Sequence, residues 1–155
     1  MSHPPPYRHG IEVASLILGP ALMSVGQLFH AAETWDVAAQ VEMVFQSPTR
    51  WYGAHLLLLV GLPLLVRGFL AITRLAADRR PKAGYAATVL LLVSVGALSA
   101  VFACEMLLGR FVSDGADEKA AIALFQTFQS GPVFGALVPG LLAFFIGTFV
   151  AARVL

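Results

Sequence analysis

Charge is scarce in this chain. Only 12% of its 155 residues are Asp, Glu, Lys or Arg, about half the share a soluble domain carries, and the mean hydropathy is +0.79. That composition excludes a domain solvated over its whole surface. The single cysteine, Cys104, excludes an internal disulfide and any Cys-x-x-Cys redox pair, and with them the four-helix thiol oxidoreductases. A net charge of +1 provides no bulk attraction for nucleic acid. There is no Gly-rich phosphate loop, no dinucleotide fingerprint and no Ser/His/Asp set. No cleavable leader is evident either. The first apolar run, 11–29, is longer than a usual signal core, and no Ala-x-Ala pattern follows it, so it reads as a retained membrane helix.

What the chain does have is apolar blocks long enough to cross hydrocarbon, roughly 20 residues each. They predict an all-α integral membrane four-helix bundle in one domain over 1–155, with helices at about 12–31, 54–73, 85–109 and 132–152. The proline-rich tail, Pro4-Pro5-Pro6, argues against a helix before about Gly10. Two short amphipathic segments, within 32–53 (Trp35, Val37, Val41, Val44, Phe45) and 113–129, are expected to lie on the outer membrane surface. Pro139-Gly140 predicts a kink in the last helix. Arg74, Arg79, Arg80 and Lys82 crowd the loop between helices two and three. The two outer loops hold Glu33, Asp36, Glu42, Asp114, Asp117 and Glu118 beside three cations. The positive-inside rule then gives an up-down-up-down path with both termini cytoplasmic, in what is expected to be a bacterial inner (plasma) membrane. Ser24-Val25-Gly26 matches Ser94-Val95-Gly96, and Phe45-Gln46-Ser47 matches Phe128-Gln129-Ser130, which suggests a tandem repeat of two helix pairs.

Ionisable groups at membrane depth are where function is sought first, because hydrocarbon makes them costly unless partnered. Helix one rises to His30, with Glu33 one turn beyond. Helix two descends past His55, and helix three rises to Glu105. The topology puts these four in one outer layer. In one reading His30 and His55 are axial ligands of haem b, with Gly26 leaving room for the macrocycle. In another, His30, His55 and a carboxylate of Glu33 or Glu105 hold a divalent metal such as zinc or iron. The plain alternative is a set of wet interfacial side chains without chemistry. Gly19, Met23, Gly26 and His30 form a small-residue stripe for close helix packing, and Gly131, Gly135, Gly140 and Gly147 are assigned the same role. Arg50, Trp51 and Tyr52 read as a headgroup-level anchor or a partner contact. Arg67 and Glu12 read as a snorkelling or paired set on the inner side, or as a lipid or anion site.

The stretch Pro48-x-Arg50-Trp51-x-x-x-His55, with Gly26-x-x-x-His30 closing helix one and an acidic, Ala-rich segment at 115–124, resembles a group of uncharacterised bacterial multi-helix integral membrane proteins. The resemblance implies that Arg50, Trp51 and His55 form one motif. Since that group has a further helix pair, it also implies a shorter member or a truncated chain. It carries no activity to transfer. Three functions follow as expectations: a haem or metal protein with an electron-transfer or redox-associated role, a structural or assembly subunit (or homo-oligomer) within a membrane complex, and a small transporter or lipid-binding protein.

Overall fold

A computed structural model describes residues 6–30, 34 and 36–153, with the side chains of 6–9 and 75–79 left aside. The described residues form seven helices and no strand: α1 (Pro6–Phe29), α2 (Val37–Gln46), α3 (Pro48–Arg79), α4 (Pro81–Ser113), α5 (Glu118–Gln129), α6 (Pro132–Gly135) and α7 (Leu137–Ala152). Four stretches are long and apolar enough to cross a membrane: Gly10–Phe29, Pro48–Arg74, Pro81–Ser113 and Pro132–Ala152. Their outward faces carry large apolar side chains such as Leu28, Leu92, Phe145 and Phe149, which suits a lipid environment.

Several boundaries differ from expectation; α4, for one, runs from Pro81 to Ser113 rather than over about 85–109. The first helix begins at Pro6, before Gly10, because proline is tolerated in a first turn whose N–H groups lack helical acceptors anyway. The second long helix begins at Pro48 rather than near Ala54, so Trp51 and His55 stand one turn apart on a single helix. The last membrane stretch breaks at Ala136, not at Pro139-Gly140. Pro139 has no N–H for the Gly135 carbonyl, and its ring crowds that same carbonyl, so the discontinuity falls one turn upstream.

The long helices pack through small residues. A Cβ added at Gly19 would collide with the Leu65 backbone nitrogen, one at Gly61 would meet Met23, and one at Gly68 would meet Leu16. Residue numbers therefore run in opposite senses along the α1–α3 contact. They do so again between α3 and α4, where the Thr73 and Thr88 hydroxyls lie 3.0 Å apart, and between α4 and α7, where Gly140 meets Ala97 and Gly147 meets Leu90. Gly131 and Gly135 do not share this role. Gly131 approaches only the end of its own preceding helix, and nothing lies near Gly135. The repeated triplets also differ in surroundings, since Gly26 faces α3 while Gly96 has open space beside it.

The short helices α2 and α5 are not laid flat on a membrane. Asp36 caps α2 by accepting from the Ala38 and Ala39 N–H groups, and Asp117 caps α5 by accepting from that of Ala120, each satisfying otherwise orphaned donors. Their apolar faces meet each other. Val41 and Val44 of α2 and Ala121 and Phe125 of α5 join Trp51, Leu108 and Val112 in one buried cluster. Among the described residues of the expected surface stripe, only Phe45 stays well exposed; Trp35 lies outside the described residues. The result is a cap with its own core, seated on one end of the bundle.

Close approach at Gly19 gives a direct test. Gly19→Ala should destabilise the detergent-solubilised protein by roughly 1–3 kcal/mol, the usual cost of overpacking. Gly96→Ala, in open space inside α4, should leave thermal unfolding unchanged or raise it slightly, and equal melting of the two variants would contradict the packing described.

Candidate metal centre

His30, His55 and Glu105 reach one point from three elements. His30 follows α1, its N–H still bonded to the Gly26 carbonyl at 2.9 Å. His55 stands on α3 and Glu105 on α4. Arg50 Nε donates to the Phe29 carbonyl at 2.8 Å, satisfying one orphaned acceptor at the end of α1 and fixing that end against α3.

His55 is fully buried and sits at the centre. Its Nδ1 lies 2.7 Å from the Trp51 carbonyl oxygen, which can only accept, so Nδ1 carries a hydrogen. The tautomer is thus inferred from the acceptor. The opposite nitrogen, Nε2, lies 3.0 Å from His30 Nε2 and 3.0 Å from Glu105 Oε2. An sp² ring nitrogen has one lone pair or one hydrogen, yet this one faces two partners at hydrogen-bonding range. A cation among the three atoms makes both approaches favourable. Ligand atoms held at 2.0–2.2 Å from zinc are about 3.3 Å apart in a tetrahedron, and closer to 2.9 Å at right angles. Two edges of the triangle have this length. The third lies within 4.8 Å, and Glu105, which keeps some solvent exposure, has rotamer freedom to close it. An Nδ1–H held by a backbone carbonyl is also the arrangement that orients metal-ligating histidines.

Trp51 supports all three residues. Its Nε1–H donates to the Glu105 backbone carbonyl at 2.7 Å, its own carbonyl holds His55, and its ring lies 5.2 Å from that of His30 and 4.5 Å from that of His55. Gly109 leaves the space it needs, since a Cβ there would come within 2.8 Å of Trp51 Cδ1. Trp51 is only 3% exposed. The headgroup-anchor expectation for it is therefore overturned, because the cap turns its surroundings into protein interior. Tyr52, its neighbour, does face outward.

The haem geometry is not met. Two axial nitrogens, each about 2 Å from an iron between them, stand about 4 Å apart, against 3.0 Å here. The room expected at Gly26 is also filled, with Ala54 O and Leu58 Cγ each 3.0 Å from where a Cβ would be. Glu33 lies outside the described residues. On the other side of the bundle Glu12 pairs with Arg74 at 3.1 Å. Arg67 shares their groove of about 560 Å³ but makes no ion pair among the described residues.

The sequence reading missed Gln40 and Phe102. Gln40 is buried within the apolar face of α2, between Val37 and Val44, and a lone amide on such a face was the available signal. Phe102 sets its ring 6.4 Å from that of His55 and gave no signal beyond hydrophobicity.

Nitrogen-15 NMR of histidine-labelled protein should show His55 protonated at Nδ1; a spectrum with a bare Nδ1 and a protonated Nε2 would contradict the bond to Trp51. Trp51→Phe should destabilise the fold by about 1–3 kcal/mol, combining a lost hydrogen bond with a partly vacated site. No family model, curated protein or solved structure matches the chain, so the site is read from its own geometry.

Proposed function

We propose that this protein is a four-helix integral membrane protein that binds a divalent transition metal, zinc or iron(II), through His30, His55 and Glu105. The observation that carries this reading is His55 Nε2, which faces a second imidazole and a carboxylate at 3.0 Å each. Two imidazoles and one carboxylate form a set used for zinc and for non-haem iron(II), and it leaves coordination positions open. Such an ion supplies Lewis-acid character, or one-electron chemistry where it is iron. The chain's own residues hold the ligands in place: the Trp51 carbonyl fixes the His55 ring, the Trp51 indole fixes the α4 backbone at Glu105, and Arg50 fixes the end of α1.

The helices run up-down-up-down with both termini cytoplasmic, a path supported by the basic loop at Arg74, Arg79, Arg80 and Lys82. The cap and the metal centre are then on the outer side of the bacterial inner membrane, where His30, His55 and Glu105 meet the extracytoplasmic face.

Metal binding is measurable directly. Stripped, detergent-purified protein should take up about one Co²⁺ or Zn²⁺ per chain, with cobalt giving visible bands characteristic of nitrogen and oxygen ligands. His55→Ala and Glu105→Gln should each weaken binding at least 100-fold. Trp51→Phe, which leaves the ligands but loosens their support, should weaken it 10- to 100-fold. Affinity should fall on acidification, because protons compete for the same ligand atoms. Wild-type protein that takes up neither ion would reject the metal reading and leave a proton-sharing polar cluster inside a structural membrane subunit.

A further inference from the structure

A cavity of about 320 Å³ adjoins the centre on the α4 side, with Glu105 in its wall. This volume is at the small end of ligand sites. Its walls come from the cap as well as the bundle: Gln40 of α2, Gln129 and Phe125 of α5, Phe134 of α6, and Phe102 beside Glu105 on α4. Gln40 is only 4% exposed. Its amide oxygen accepts from the Thr34 N–H at 3.0 Å, while its NH₂ finds no acceptor among the described residues. The Gln129 side chain likewise makes no hydrogen bond among the described residues. The Gln40 NH₂ borders this partly open cavity, where a ligand acceptor would give it a partner.

The geometry points to a binding chamber for a small uncharged molecule that carries a hydroxyl on a ring-sized apolar body, a phenol or an alcohol of similar size. Among the described residues no Lys or Arg lines the cavity, so an anion next to Glu105 would be left uncompensated. The Glu105 charge is itself answered by the imidazole side, whether through a proton or through an ion. What remains is a hydrogen-bond acceptor and amide donors set among phenyl rings. A hydroxyl satisfies both kinds of group, and the aromatic walls take an apolar ring. The inference goes beyond the metal reading, since it needs the cavity and its polar groups but no bound ion.

Fluorine NMR of 4-fluorophenol with the detergent-purified protein tests it. Binding should be saturable, displaced by phenol and not displaced by benzoate. Val101 also lines the cavity, and Val101→Phe, which fills it, should abolish binding. Gln129→Leu, at a partly exposed site where folding is secure, should weaken it about tenfold, the value of roughly one hydrogen bond. Equal competition by benzoate, or wild-type binding in both variants as simple partition into the micelle would give, overturns the proposal. The measurement is made on stripped and on zinc-loaded protein. A chain that binds 4-fluorophenol but no metal sinks only the metal reading, and a chain that binds metal but shows no saturable phenol site sinks only the chamber.

Discussion

His55 is a wholly buried imidazole, and much of the architecture around it follows from satisfying its two nitrogens. Away from water, each polar atom needs a partner or carries a desolvation penalty of a few kcal/mol. The Nδ1–H is answered from the same helix, by the Trp51 carbonyl one turn back. Among the described residues the Nε2 is answered by groups from the two neighbouring elements, His30 and Glu105. The elements α1, α3 and α4 must therefore meet at this depth in one register, and the small residues of α1 and α3 permit the close approach that such a meeting requires.

Two kinds of cohesion join at that point. Below it the helices have lipid as their alternative partner, so packing at Gly19, Gly61, Gly140 and Gly147, together with polar contacts such as Thr73 with Thr88, holds them together. Above it the cap carries a water-excluding core of Val41, Val44, Ala121 and Phe125, stabilised by the ordinary hydrophobic effect. Trp51 belongs to both regions. Its ring is part of the cap cluster while its indole N–H and its carbonyl reach the polar centre. Loosening the cap therefore loosens the ligand set, although no cap helix hydrogen-bonds His55 or Glu105 among the described residues.

The four helices long and apolar enough to cross a membrane, and the convergence of His30, His55 and Glu105, were legible in the residues, because the lengths of the apolar runs and the spacing of these three along them set their level. Rotation about the helix axis was not legible from single residues, and the contacts at Gly19, Gly26 and Gly61 resolve it. Trp51 was misread because a Trp-Tyr pair before an apolar run is the ordinary sign of an interface. That sign carries no information about a cap folded over the same spot. The helix start at Pro48 was missed for a related reason, since polarity at 48–53 suits either a loop or a capped helix end. The break at Ala136 was displaced because proline acts on the carbonyl four residues before it, not on its own position. Gln40 went unread because one amide in a short amphipathic segment has meaning only once the facing cavity is known.

The three ligand candidates are not equally constrained. His55 and Glu105 sit well inside helices of 32 and 33 residues, where a shift of one side chain requires a shift of the helix. His30 sits just beyond the last helical residue of α1, its N–H shared between the Gly26 and Gln27 carbonyls and its neighbour Phe29 held by Arg50. A centre built this way has two fixed donors and one on a terminus. The edges that already match a coordination sphere both run through His55, so the adjustment the third edge needs falls to the ends of the His30 and Glu105 side chains. Those are the two groups on the side of the triangle away from the rigid Trp51–His55 turn, and Glu105 is the one that also borders the chamber.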